Sequence, residues 1–309
     1  MNAALAGFWK FLFPRDSGRW VGLLRIGLGL QLIIYTWSLR RDWRELFGTS
    51  GPLLVNRALA EAVLGGASFF TPRIGWLVSL GKSFGISEGA TLLLLWLSLF
   101  SLGVLFLIGW SKRLTAIAAW FLYVCTAKSG TLFSYGVDNF TIIGLFYAMI
   151  APFPGPRTSP ERLGFHRRVL QLHLCIIYFF GGLSKCLGAE WWNGTSIWRA
   201  LTRPPFDLIP PDLLIRFEFL FPFLSIAVCL LEASYPIFIW LGKTRAIWLS
   251  GILLIHLSIG LTMGLHLFAL IMIVLNLAAF GPEFFPDRLV VSGRRWLARW
   301  HSIARRETR

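Results

Sequence analysis

One lysine closes a long apolar run in this chain. Residues 171–201 read QLHLCIIYFFGGLSKCLGAEWWNGTSIWRAL, so Lys185 is followed by Trp191, Trp192 and an Asn193-Gly194 turn. An amine at the end of a buried helix can anchor that helix at a membrane surface, or it can carry a proton. It acts as a base only when neutral, and burial in apolar surroundings favours an amine's neutral form. Other ionisable side chains also interrupt apolar stretches, where they are costly and mark function by default. Arg25 lies in the first such stretch, and Glu218 and Glu232 in the sixth. Nearly four helical turns separate the two glutamates, which places them on one helix face roughly 21 Å apart. The expected direction of each stretch then predicts two intramembrane ion pairs at different depths, Arg25 with Glu232 and Lys185 with Glu218.

His256 and His266 flank a break around Thr262-Met263-Gly264. No acid or thiol accompanies them at ligand spacing, so no metal site is expected. Hydrogen-bonded intramembrane histidines are the plainer expectation for both, and for His173. Asp138-Asn139 opens another apolar stretch after Ser134-Tyr135-Gly136. That pair suits either an N-cap or a polar positioning site. Cys125, Cys175, Cys186 and Cys229 sit in or beside apolar runs and form no disulfide framework.

These residues must be held by an apolar scaffold. Of the 309 residues 56% are hydrophobic and 15% charged, with a mean hydropathy of +0.65. A soluble domain is about a quarter charged and cannot hide this much apolar surface. The expected fold is therefore all-α, a polytopic transmembrane helix bundle of about eight spans. They are placed at 20–38, 90–110, 114–127, 137–151, 169–185, 213–240, 246–263 and 265–280. The 30 Lys and Arg against 15 Asp and Glu give a net charge of +15. That charge falls between the apolar runs, which fits topology and anionic lipid headgroups rather than nucleic acid. Lys112, Arg113, Arg157, Arg162, Arg167, Arg168, Lys243 and Arg245 fall on the side of both ends of the chain. Both termini are therefore expected in the cytoplasm, with the first span retained as a signal anchor in a multi-pass plasma (inner) membrane protein.

The organisation follows. Residues 1–19 form an N-terminal interfacial segment, and 20–281 the bundle. Segments 39–89 and 188–212 cap its extracytoplasmic face. Residues 282–309 form a basic cytoplasmic tail, in which Leu289, Trp296, Leu297, Trp300 and Ile303 alternate with arginines in the pattern of an amphipathic helix.

The run Tyr178-Phe179-Phe180-Gly181-Gly182-Leu183-Ser184-Lys185 followed by Trp192-Asn193-Gly194 resembles a stretch of the HTTM superfamily. This superfamily comprises the vitamin K-dependent γ-carboxylases and their bacterial relatives. Leu24-Arg25-Ile26-Gly27, Phe47-Gly48 with Gly51, Tyr135-Gly136-Val137-Asp138-Asn139 and the His256 to Leu265 run are similar too. The resemblance implies a carboxylase/epoxidase-like intramembrane enzyme or maturation factor, with a quinol or vitamin K hydroquinone as cofactor. It makes Lys185 the base and Asp138, Asn139, Tyr178, Trp191 and Trp192 the groups that position substrate or cofactor. It also implies an exported peptide as client at the extracytoplasmic face. Ser184 stands where the carboxylases carry a second lysine, and Phe140 where they carry a histidine. Two other classes remain open: a transport or binding protein with Arg25 and the two glutamates along a polar route, and a structural subunit of a membrane complex.

Overall fold

The computed structural model describes residues 3–285 except Pro52 and Phe69, and these are all-helical, with no strand. In chain order the helices are α1 (Ala3–Leu12), α2 (Arg19–Ser38), α3 (Trp43–Phe47), α4 (Arg57–Ala67) and α5 (Ile74–Ser83). Then come α6 (Glu88–Ile108), α7 (Lys112–Ser129), α8 (Gly136–Ile150), α9 (Pro160–Cys186) and α10 (Ala189–Trp192). The last are α11 (Thr195–Thr202), α12 (Pro211–Arg216), α13 (Phe221–Phe238), α14 (Arg245–Met263) and α15 (His266–Phe280). Five are long and apolar enough to cross a membrane: α2, α6, α9, α13 with the 3-10 turn before it, and α14. α8 and α15 are apolar but shorter. The 18 residues of α7 carry Lys112, Arg113 and Lys128 and do not count with the five. The expected tail beyond Phe285 lies outside the described residues.

Local signals set the helix ends. The Ser87 hydroxyl accepts from Ala90 N and starts α6, and the left-handed Gly109 (φ 74°) stops it. Ser159 accepts from Arg162 N ahead of Pro160, whose missing N–H costs nothing in the first turn of α9.

The chain divides into two compact units. One consists of residues 24–151. In it Gly29 and Gly103 let α2 and α6 approach closely: a Cβ on Gly29 would lie 2.9 Å from the Gly103 carbonyl oxygen. The segment 39–89, expected as short surface helices, holds α3, α4 and α5. They are tied together around Arg57, which is almost fully buried. Arg57 donates to the Phe47 carbonyl at 2.7 Å and pairs with Glu61 at 3.0 Å and Glu88 at 2.6 Å. Glu61 in turn accepts from Gly75 N at 2.9 Å and from the Ser129 hydroxyl at 2.6 Å. Every arm of this buried network has a partner, the condition under which buried charge is tolerated.

Arg25 belongs to this unit and is not part of an ion pair among the described residues. Its guanidinium donates to the carbonyls of Phe106 and Leu107, the latter at 2.7 Å. Those are last-turn carbonyls of α6, which lack an i+4 partner in the helix and carry its negative dipole end, the Phe106 carbonyl also accepting from Gly109 N at 3.2 Å. The expected Arg25–Glu232 pair is therefore corrected: a helix end supplies the negative partner.

The second unit holds residues 3–23 and 152–285. Its main contact is α9 against α13. Gly182 makes the crossing, because a Cβ there would collide with the backbone nitrogen of Ala233. Arg167 ties the base of α9 to Asp16 and Glu283, both at 2.8 Å, and donates to the Ala279 carbonyl at 2.8 Å. Arg168 stacks on Phe11 of α1 and on Trp240, at 4.4 and 4.6 Å. The expected N-terminal interfacial segment is thus a helix, α1, with Phe8, Trp9 and Phe11 exposed.

Candidate functional site

The second unit brings Lys185 to a carboxylate, but not the expected one. Lys185 Nζ lies 2.5 Å from Glu232 Oε2 on α13. Glu218 is exposed in the 3-10 turn Glu218–Leu220 that precedes α13. Pro222 is part of the reason, since proline fits the first turn of a helix and α13 begins at Phe221. The Lys185–Glu218 pair is therefore corrected to Lys185–Glu232. The two glutamates do not face one site.

The Gly182 crossing explains the new pairing. Lys185 lies three residues after Gly182, on the same helix face, so it meets α13 one turn beyond the closest approach. Glu232 is adjacent to Ala233, the residue Gly182 touches. Glu232 exposes 9% of its side chain and Lys185 24%, so the amine is the more accessible partner and the acid the more enclosed. Gly181 lies against the pair: a Cβ on it would stand 3.4 Å from Glu232 Oε2 and 3.8 Å from Lys185 Nζ. Trp191 covers the amine from the following segment, its ring centroid 5.4 Å from Nζ. Trp192 turns outward, half exposed, and donates its indole N–H to the Cys186 carbonyl at 2.8 Å.

A second polar cluster is packed among α9, α13, α14 and α15. Tyr235 donates its hydroxyl to Asn276 Oδ1 at 2.8 Å, and Asn276 Nδ2 donates to the Tyr178 oxygen at 2.7 Å. Tyr178 and His256 Nε2 are 2.8 Å apart. Tyr178 already accepts from Asn276, so its own proton is assigned to His256 Nε2, which makes His256 the Nδ1–H tautomer. The buried Nδ1 has no hydrogen-bond partner among the described residues. The expectation of a hydrogen-bonded histidine thus holds for His256 through Nε2. His266 is exposed at the first position of α15 and contributes nothing here.

Asp138 and Asn139 belong to the other unit. Asp138 is buried and closes the first turn of α8: it accepts from Tyr135 N at 3.2 Å and from the Tyr123 hydroxyl at 3.1 Å. This is the N-terminal capping role, with a tyrosine added. Asn139 is exposed and lines a cleft of about 600 Å³ with Trp120, Lys128 and Ile143.

No protein-family model, curated protein or solved structure matches this chain. Its chemistry must be read from its own residues. Among the described residues no cluster of three or more His, Cys, Asp or Glu could hold a metal ion. The Lys185–Glu232 pair holds an exchangeable proton between two heteroatoms. Phe180, Leu183 and Leu187 are exposed on the same segment, about 140–160° round the helix from Lys185.

Sequence reasoning missed Asn276, Tyr235 and Gly182. Asn276 is the one amide within the apolar run of α15, and a lone amide in such a run marks a buried hydrogen-bond node. Gly181-Gly182 carries the small-residue signature of a close helix crossing.

Proposed function

We propose that this chain is a multi-pass inner-membrane protein of the HTTM type, in which Lys185 and Glu232 move a proton for a lipid-soluble quinol during maturation of an exported peptide. In this reading α7, α8 and α15 join the five long helices to give about eight spans. Both termini lie in the cytoplasm, and the segments 39–89 and 188–212 cover the outer face.

The observation that carries the reading is the 2.5 Å Lys185–Glu232 contact, enclosed on the acid side and partly exposed on the amine side. In a low-dielectric site an ammonium–carboxylate pair and its amine–carboxylic acid tautomer lie closer in energy than in water. Glu232 Oε2 can therefore hold the proton while Lys185 Nζ is a free amine. The amine then takes a proton from a donor arriving past Trp191. A bound quinol would supply an acidic O–H and two reducing electrons. Trp191, whose ring lies 5.4 Å from the amine, fits a planar apolar ring as a stacking wall.

The test uses full-length protein in lipid nanodiscs with vitamin K hydroquinone, oxygen, labelled bicarbonate and glutamate-containing peptides. Quinol loss and label incorporation are followed together. Wild type should consume quinol, and the double variant Lys185→Ala/Glu232→Gln should be slower by about 10²- to 10⁴-fold, the usual worth of a positioned base. The double variant removes the acid that a single lysine variant would strand, so loss of turnover reports chemistry rather than unfolding. Absence of quinol turnover in wild type, or equal turnover in the variant, rejects the proposal.

A further inference from the structure

A basic cleft in the unit formed by residues 24–151 has no place in the reading above. Arg40 and Arg44 line it with Ser87, Gly89, Leu93 and Trp96, and no acidic residue contributes to its wall. Its volume is about 540 Å³. Arg40 is held by its own neighbours: it donates to the Trp37 carbonyl at 2.9 Å and lies over the Trp37 ring at 4.5 Å. The Arg44 guanidinium, by contrast, makes no hydrogen bond and no ion pair among the described residues. It lies beside Gly89, whose added Cβ would be 3.4 Å from Arg44 Nη2. The adjacent cleft shares Arg44 and Gly89 and is lined by Glu45 and Glu88; Glu88 is already taken by Arg57 and by the Thr49 hydroxyl, each at 2.6 Å.

The first turn of the 21-residue α6 forms the floor, so the positive end of its dipole adds to the two guanidinium groups. Both tryptophans are internally satisfied. Trp43 donates its indole N–H to the Leu92 carbonyl and Trp96 to that of Thr36, at 2.9 and 2.8 Å. The rings therefore act as walls rather than as donors. Below the cleft the outer face of α6 is apolar and uncovered. Leu93, Leu94, Leu97, Val104 and Ile108 are all exposed along it. A basic cleft at the head of an apolar strip on a candidate membrane span has the shape of a single lipid: phosphate above, acyl chain below.

We infer that this cleft binds the phosphodiester of an anionic phospholipid whose acyl chains lie along α6. An arginine fork matches phosphate oxygens in pairs. With no acid in the wall there is no partner for the ammonium of a zwitterionic headgroup, so the cleft selects lipids of net negative charge. The inference needs α6 to cross a membrane and is independent of the chemistry at Lys185.

The experiment places delipidated full-length protein in mixed micelles with equal phosphatidylglycerol and phosphatidylcholine, each carrying a photo-crosslinker next to the phosphate. Cross-linked peptides are then mapped by mass spectrometry. Phosphatidylglycerol should label the residues 40–44 and 87–96 of wild type at least about tenfold more than phosphatidylcholine, as expected for two charge-assisted contacts. Arg40→Gln/Arg44→Gln should abolish that preference. Arg40→Lys/Arg44→Lys should keep part of it, and this pair serves if the glutamine variant fails to fold. Arg41→Gln, outside this cleft, should leave labelling unchanged. Equal labelling by the two lipids, or labelling indifferent to Arg40 and Arg44, overturns the inference. Loss of the label to millimolar inorganic phosphate overturns it too, by reassigning the cleft to free phosphate.

Discussion

Removing one member of the Lys185–Glu232 pair strands the other, and the two removals should not cost the same. Breaking a buried ion pair by deleting one partner costs about 3–5 kcal/mol, mostly through the charge left behind. Lys185→Met leaves Glu232 with 9% of its side chain exposed and no other partner among the described residues, so about 3–4 kcal/mol is expected. Glu232→Gln leaves an amine that is already partly exposed. It keeps the Trp191 ring and sits 3.5 Å from the Gly181 carbonyl, and the new amide can still accept from it. The cost should be about 2 kcal/mol. The double variant removes both charges and should cost about 2 kcal/mol, giving a coupling energy of about 3–4 kcal/mol. Unfolding of purified protein in mixed dodecyl maltoside and SDS micelles, followed by circular dichroism, measures all four corners of the cycle. A coupling below about 0.5 kcal/mol, or a glutamate variant costlier than the lysine variant, would refute both the pairing and its asymmetry.

Two further outcomes follow from the packing. Gly182→Ala drives a Cβ into the backbone of Ala233, so α9 and α13 must separate. The same SDS titration should show a loss of at least about 2 kcal/mol, against little change for Gly242→Ala, where nothing stands within 4 Å. Arg57→Met strands Glu61, Glu88 and the Phe47 carbonyl together. About 3–5 kcal/mol is expected, with amide hydrogen exchange rising across 57–83 while α9 to α15 keep their protection.

Much of the helical layout can be read from hydropathy. The apolar runs at 20–38, 90–110, 169–185, 213–240 and 246–263 fall on the five long apolar helices, because backbone burial in lipid demands unbroken apolar stretches. The ion pairs were not legible in the same way. Counting turns between Glu218 and Glu232 assumed one unbroken helix, whereas the helix begins only at Phe221. Counting also says nothing about where two helices cross. That level is fixed by Gly182 against Ala233, a contact between residues far apart in sequence, and it decides which carboxylate Lys185 meets. Arg25 shows the complementary failure. A search for carboxylates overlooks the carbonyls at a helix end, which can satisfy a guanidinium equally well. The candidate site was thus half visible: Lys185, Tyr178, Trp191, Glu232 and His256 stand out by residue type. Asn276, Tyr235 and the true pairing emerge only once the helices are packed.

The Arg57 network also carries a schedule. Glu61 and Arg57 leave the ribosome well before the groups that complete them. Glu88 lies 31 residues after Arg57, and Ser129 lies 68 residues after Glu61. At elongation rates of about 5–20 residues per second, 68 residues take on the order of several seconds. For that interval the segment carrying α3, α4 and α5 holds an arginine and a carboxylate short of their partners, and it can close only when the end of α7 has been delivered. The order in which the chain is made thus becomes the order in which this part of it can become rigid.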